Sequence, residues 1–232
     1  MRECRIGFGM KKLLSLLSFF ALGCAIALAD GTLKDGPHFA YPTGGDVRYE
    51  QAGFGWQVTY DHENYWSVDL SITRQTDKLD DLGFLSEPFE DRLDLELVAI
   101  ALSARLDYPI YDFTVYVGGG FGYYWMRTDN GRANRSIQEN LGALPPGVSD
   151  WRVGAEIDNT FAYHWAAGLE WRWSPSWEVF AEYRRVALES EIVYRIRESR
   201  PRAATIDRQE FHTQEKFSYD HGLIRVGVNY RF

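Results

Sequence analysis

Cysteine is nearly absent from this chain, and both of its cysteines lie near the N-terminus. Cys4 and Cys24 fall within the first 29 residues, and no cysteine follows them. A chain without a thiol cannot mispair in an oxidising compartment, but it cannot use disulfides for stability either. The folded part must therefore draw its stability from another source, such as the closure of a β-sheet into a barrel.

Lysine is also scarce, and acidic residues outnumber basic ones. After residue 29 only Lys34, Lys78 and Lys216 remain, so nearly all positive charge there is arginine. The formal net charge is −8, and because the first 29 residues contribute +3, the rest of the chain carries about −11. This balance argues against nucleic-acid binding, which needs a basic face. The planar guanidinium of arginine suits buried ion pairs and phosphate contacts.

Long apolar runs are missing as well, apart from one at the N-terminus. Two lysines precede an apolar run over residues 13–28, which ends in the small-x-small sequence from Ala27 to Ala29. Basic residues, an apolar run and a small-x-small site together predict a secretory signal peptide over residues 1–29, cleaved before Asp30. The run is about 16 residues long, which is short for a membrane-spanning helix.

A lipoprotein signal is the alternative interpretation of this N-terminus, and it depends on Cys24. The preceding Ala21 occupies a position where a branched apolar residue is preferred, and the apolar run continues past the cysteine. Cleavage after Ala29 therefore remains the expectation.

After residue 29 the apolar residues alternate with polar ones. A period of two over about nine to thirteen residues indicates strands long enough to cross a membrane. Five segments alternate clearly: 53–60, 65–73, 113–126, 161–173 and 224–232. Two more, 93–106 and 177–186, are less regular. A barrel needs an even number of strands, so an eighth is expected over 32–41, although Pro37 makes that segment a poor strand.

One of the irregular segments changes phase part-way. Leu93, Leu95 and Leu97 are odd-numbered, whereas the apolar residues from Val98 to Leu106 are even-numbered. A β-bulge near Leu97 would reconcile the two phases.

Short and long connections alternate along the chain. Tight turns are expected at 61–64, 108–111 and 174–176, and long external loops at about 74–92, 128–160 and 190–218. Outer-membrane barrels have this asymmetry, with short periplasmic turns and longer external loops. Aromatic residues crowd the short-turn side and predict an interfacial girdle: Tyr60, Trp66, Tyr108, Tyr111, Trp171, Trp173, Trp177 and Tyr230.

Residues 53–232 resemble the small eight-stranded outer-membrane barrels, the OmpA/OmpX-type and opacity-protein-like porin superfamily. The matching segments are YVGGGFGY at 116–123, WEVFAEYR at 177–184 and the terminal VGVNYRF, in which Tyr230 and Phe232 look like the family's assembly signal. The resemblance implies an all-β, antiparallel up-and-down barrel over residues 30–232. It also implies insertion by the outer-membrane assembly machinery of a Gram-negative bacterium, after export through the periplasm.

Charged residues fall on the polar, inward faces of the predicted strands. They are Arg105, Glu170, Arg172, Glu178, Glu182, Arg184, Arg225 and Arg231. If the turn at 174–176 is symmetric about Pro175, Arg172 lies opposite Glu178 on the neighbouring strand. An eight-stranded barrel is just filled by side chains, so we expect these charges to form a connected plug and not a wide pore.

No catalytic or metal-binding pattern stands out. No two histidines have metal-ligand spacing, no histidine stands two residues before a serine as in lipid A deacylases, and G-x-S-x-G is absent. We therefore expect no enzymatic activity, cofactor or metal. Arginines in the last external loop are candidates for binding lipopolysaccharide phosphates, or else form a solvated hairpin balanced by acidic residues: Arg195, Arg197, Arg200 and Arg202.

Three functions remain open after this reasoning. The first is a monomeric, non-enzymatic protein with a structural or surface-interaction role, such as adhesion, envelope integrity or contact with surface lipids. The second is a narrow porin-like barrel for small solutes, and the third is a lipid-modifying enzyme. Fold alone does not decide among them.

Overall fold

The computed structural model describes residues 31–43, 52–62, 65–80, 92–131, 134–135, 139, 150–202 and 205–232. The expected cleavage site, with Ala27, Ala29 and Asp30, lies outside this part of the chain. Within it, no helix is long and apolar enough to span a membrane.

Nine strands make up almost all of the described structure. They are β1 (Gly31–Thr43), β2 (Gly53–His62), β3 (Trp66–Asp80), β4 (Arg92–Ile110), β5 (Phe113–Asp129), β6 (Asp150–Ile157), β7 (Thr160–Ser174), β8 (Trp177–Arg202) and β9 (Thr205–Arg231).

Eight of the nine strands close into an antiparallel barrel. The ring runs β1-β2-β3-β4-β5-β7-β8-β9 and returns to β1, while β6 stands outside it and pairs with the distal part of β8. Lys34 of β1 faces Arg231 of β9 across the closing seam. The predicted fold class, an eight-stranded up-and-down barrel, is confirmed.

The first strand includes the segment 32–41, in which Pro37 made a strand hard to predict. Gly36 and Pro37 lie within β1, opposite Gln57 and Trp56 of β2. A Cβ on Gly36 would come within 1.8 Å of the carbonyl oxygen of Val228 on β9. The two backbones therefore approach so closely at this seam that only glycine fits, and this explains a glycine in a membrane-length strand.

The stagger of the strands sets the width of the interior. Following paired residues once around the ring leads from Leu33 to Thr43 on the same strand, a shear of ten residues. Eight strands with such a shear tilt by about 40° and leave an interior that side chains fill.

The bulge expected near Leu97 is wrong. The pairing of β4 with both neighbours keeps one register from Asp94 to Leu106. Leu95 and Leu97 are fully buried and point inward, whereas Leu106 is 68% exposed on the outer wall. The apparent phase change arises because the interior is apolar at this end, where Asp94 and Glu96 point outward, whereas the outward residues are apolar from Val98 to Leu102. The irregularity in the ring lies instead between Arg172 and Ser174 of β7.

The two ends of the barrel differ. At the turn end, two or three residues connect β2 to β3, β4 to β5 and β7 to β8. Tyr111 adopts a φ of 55° in the β4–β5 turn, a conformation that tight hairpins require. At the opposite end, which we call the hairpin end, β8 and β9 stay paired as far as Arg202 and Thr205. Residues 190–202 and 205–218, expected within one long loop, therefore continue as paired strands beyond the ring.

Aromatic side chains cover the outer wall at both ends. Around the turn end, Tyr108 and Trp173 are exposed, and Trp177 contacts Tyr230 with ring centroids 5.1 Å apart. Tyr60 is the exception among the expected girdle residues, since it is 9% exposed and lies against Trp66. A second belt near the hairpin end was not expected from the sequence. It includes Tyr123, Trp125, Phe161, Tyr163 and Trp165.

Candidate functional site: the barrel interior and the external sheet

The interior near the turn end holds a dense ionic cluster centred on Lys34. Its ammonium lies 2.7 Å from Asp61, 2.7 Å from Glu170 and 2.8 Å from Glu178. These carboxylates come from β2, β7 and β8, and all four side chains are buried. One lysine of the first strand thus joins three other strands across the barrel.

Arg105 extends this cluster along β4. Its guanidinium lies 2.7 Å from Glu170 and 3.2 Å from Asp107, and it donates a short hydrogen bond to Ser67. It also lies over the ring of Tyr116, 4.2 Å from the centroid. Such dense pairing is what keeps buried charges tolerable, because an unpaired charge in a low-dielectric interior is very costly.

A second ionic cluster lies further toward the hairpin end and is centred on Glu182. One carboxylate oxygen of Glu182 accepts from Arg184 at 3.0 Å and from Arg225 at 2.7 Å, and the other accepts from the hydroxyl of Tyr116 at 3.2 Å. Because Tyr116 also contacts Arg105, it links the two clusters into one network. Arg184 further reaches Asp69, at 3.4 Å.

Neutral polar pairs occupy the space between the charges. Gln57 donates to Asn229 at 3.1 Å, and Ser103 lies 2.8 Å from His164. His38 contacts Thr73 at 2.9 Å. These pairs fill much of the interior between the ion pairs, although Nδ1 of His164 and Nδ2 of Asn229 are buried without a hydrogen-bond partner among the described residues.

The structure places the sequence-predicted charges in two environments. Six are buried inside the barrel: Arg105, Glu170, Glu178, Glu182, Arg184 and Arg225. Arg172 and Arg231 lie at the mouth of the turn end, with side chains 41% and 19% exposed. Both approach Glu178, at 3.0 Å and 3.8 Å.

Sequence reasoning missed four members of the network. Asp61 falls in an expected turn, and Lys34, Asp69 and Asp107 are not among the charges predicted to point inward. With them included, six buried carboxylates face four buried cations, and the two arginines at the mouth bring the charges into balance. Alternation along β1 could have identified Lys34, because this residue points inward if residues 32–41 form a strand.

An apolar layer lies above the ionic network at the hairpin end. Leu95, Leu97, Met126, Leu188 and Ile192 are all buried and point to the inside. Each of these side chains is less than 9% exposed, so they shield this end of the interior from water. Two layers of side chains therefore block the interior of the barrel. Ion pairs form the layer near the turn end, and apolar side chains form the layer near the hairpin end.

Comparison with known proteins is consistent with this architecture. The family model described as "Outer membrane protein beta-barrel domain" matches residues 18–232. The chain belongs to this family. It is accordingly a protein of the Gram-negative outer membrane that crosses the bilayer with β-strands.

Solved structures of outer-membrane barrels share the fold at low sequence identity. OprG from Pseudomonas aeruginosa is 13% identical with a TM-score of 0.56, over 88% of this chain and 95% of that one. AlkL, solved in DMPC lipid bilayers, is 14% identical with a TM-score of 0.52, over 88% and 90% of the two chains. No curated protein sequence matches the chain. At this identity the likeness establishes the fold and leaves the role open.

Outside the ring, this barrel carries a three-stranded sheet formed by β6 and the distal parts of β8 and β9. β6 pairs with β8 from Asp150↔Ser199 to Ile157↔Ile192. Its other edge faces β5 without a shared ladder among the described residues. Asparagine side chains satisfy that edge instead: Asn130 accepts from Ala155, and Asn134 both donates to and accepts from Val153.

A cavity of about 580 Å³ opens where β5 and β6 diverge. Buried Met126, Ala155 and Ile157 supply the apolar part of its lining, and Arg127 and Arg195 lie at its rim. The described residues contain no group of three or more His, Cys, Asp or Glu side chains arranged to hold a metal ion.

The arginines proposed as phosphate ligands lie on the hairpin extension. Arg195 contacts Glu156 at 2.6 Å, and Arg197 lies 3.7 Å from Glu210. Arg200 and Arg202 belong to the end of β8, and their side chains lie outside the described set. Arg195 and Arg197 therefore pair with carboxylates on different neighbouring strands, Glu156 of β6 and Glu210 of β9.

Proposed function

We propose that this protein is a non-enzymatic, non-conducting outer-membrane protein whose working part is the external sheet at the hairpin end. The observation that carries this proposal is the double closure of the barrel. Lys34 and Glu182 anchor paired charges near the turn end, and Leu97 and Leu188 belong to the apolar layer above them. A barrel filled in this way has a structural or surface-interaction role and does not pass solutes.

The external sheet supports the second half of the proposal. β8 and β9 extend well beyond the point where β9 leaves β1, at Gly222. In barrels of this class the longer connections face the outside of the cell. A paired and braced sheet holds its outward side chains in fixed positions, which suits contact with surface lipids or with another surface, as in adhesion or envelope integrity.

Planar-bilayer conductance tests the closed state. We expect the refolded wild-type protein to show no steady current, whereas an open trimeric porin inserted in the same bilayer conducts. The variant Leu97→Ala/Leu188→Ala, which loosens only the apolar layer, should remain closed because the ionic network is intact. A steady current through the wild-type barrel would contradict the proposal and favour the narrow transport barrel.

Mass analysis of lipids tests the absence of catalysis. Lipid A and phospholipids incubated with the folded protein should keep their masses, as they do with heat-unfolded protein. Loss of an acyl chain with the folded protein alone would establish a lipid-modifying enzyme.

A further inference from the structure

The cavity between β5 and β6 lies directly beyond a group of three aromatic rings on the outer wall. Tyr123 contacts Trp125 and Phe161, with ring centroids 4.6 Å and 4.8 Å apart. Arg127 follows Trp125 by two residues and shares its outward face. Because aromatic rings of membrane proteins concentrate at the level of the lipid headgroups, the cavity opens at the headgroups of the outer leaflet.

Two guanidinium groups at the rim of this cavity are open to a ligand. The carboxylate opposite Arg127 on β4 is Glu96, and Arg74 already binds it at 2.8 Å. No described residue pairs with Arg127. Arg195 is held by Glu156 at 2.6 Å, yet its side chain is 52% exposed, so further N–H groups remain available.

The lining combines these cations with acidic and apolar groups. Glu156 and Asp158 also line the cavity, so its charges balance and it offers no continuous basic surface. Such a site suits one compact anion attached to an apolar body and not a long polyanion. The buried Met126 and Ile157 provide the apolar contact.

We propose that this cavity binds the phosphate headgroup of an outer-leaflet lipid, with an acyl chain lying over Tyr123, Trp125 and Phe161. Arg127 and Arg195 would approach the phosphate from β5 and β8, and arginine binds phosphate oxygens through two parallel hydrogen bonds. The proposal rests on the proposed function, since it specifies the surface-lipid contact named there and needs the hairpin end to face the outside. It differs from the prediction that four arginines of the hairpin bind lipopolysaccharide phosphates, because only Arg195 of those four lines the cavity.

Binding to purified protein in neutral detergent micelles tests this site. The probes are diphosphorylated lipid A, the same lipid after enzymatic dephosphorylation, and inorganic phosphate, with bound ligand counted by native mass spectrometry. We expect the wild-type protein to prefer the phosphorylated lipid. Arg127→Gln/Arg195→Gln should lower that affinity by about tenfold or more, since two charge-assisted contacts are lost.

Arg197→Gln is the matched control, because Arg197 lies two residues beyond Arg195 on the same strand and outside the cavity. It should change the affinity less than about twofold, and all variants must show the heat-dependent gel shift of a folded barrel. An equal loss of affinity with Arg197→Gln would show that binding depends on overall positive charge and not on this cavity, and would overturn the proposal. Equal binding of the dephosphorylated lipid would overturn it too, and tight binding of inorganic phosphate would assign the site to a soluble anion. None of these outcomes depends on whether the barrel conducts.

Discussion

At the scale of single residues, the charges inside this barrel depend on one another, and Glu178 shows this most clearly. It lies 2.8 Å from Lys34, 3.0 Å from Arg172 and 3.8 Å from Arg231. We expect Glu178→Ala to lower the free energy of unfolding by about 3–5 kcal/mol, because the balanced network is left with an excess positive charge that is shared by Lys34, Arg172 and Arg231. Urea unfolding of the protein in vesicles, followed by tryptophan fluorescence, measures this.

Glu189→Ala provides the control for that prediction, since Glu189 is an exposed carboxylate on the same strand. The same charge is removed, but no buried partner is left behind, so the change in unfolding free energy should be much smaller. Equal losses for the two variants would mean that water reaches the interior and solvates each charge separately.

At the scale of elements, the last strand closes the barrel, and Phe232, which directly follows that strand, takes part in the closure. The backbone amide of Phe232 donates to Leu33 of the first strand at 3.0 Å, and its ring contacts Tyr230. We expect deletion of Phe232 to lower the membrane-inserted, heat-modifiable fraction several-fold in cells. Phe211→Ala, which removes an exposed ring from the distal part of the same strand, should insert normally. Normal insertion of the truncated chain would argue against an assembly signal at this position.

Alternation of apolar and polar residues was sufficient to predict most of the ring. The pattern was less clear where an apolar interior or a close backbone contact also determined which residue types occur. Leu95 and Leu97 disturbed the pattern of β4 because the interior is apolar there. Gly36 and Pro37 obscured β1, where the close approach of the β9 backbone requires the glycine. β6 falls within the loop expected over 128–160, although its apolar residues Val153, Ala155 and Ile157 alternate with others and are buried.

The interior network was predictable only in part, for a related reason. Parity along a strand identifies which side chains point inward, and this placed Glu170, Glu182 and Arg225 inside. It does not identify their partners, because ion pairs such as Lys34 with Glu170 join strands far apart in the chain. The cavity beside β6 could not be foreseen at all, since it arises from the divergence of two strands.

At the scale of the whole molecule, the exported protein should begin at Asp30. The small-x-small site from Ala27 to Ala29 ends the apolar run, and a signal peptidase cleaves after such a site. N-terminal sequencing of protein purified from the membrane should read Asp-Gly-Thr. A lipid-modified Cys24 at the N-terminus would instead make this protein a lipoprotein.

The position of Lys34 also has a consequence for the order of assembly. The lysine belongs to the first strand to leave the export channel, whereas Glu170 and Glu178 belong to two of the last three strands of the ring. Until those late strands arrive, Lys34 has only Asp61 of β2 among its three carboxylate partners, and the lumen must stay hydrated because incompletely paired charges are costly away from water. Loss of water from the interior is therefore coupled to completion of the ring of strands. A barrel interrupted before β7 would keep a hydrated, charged lumen, and water would leave only after the last strands have paired.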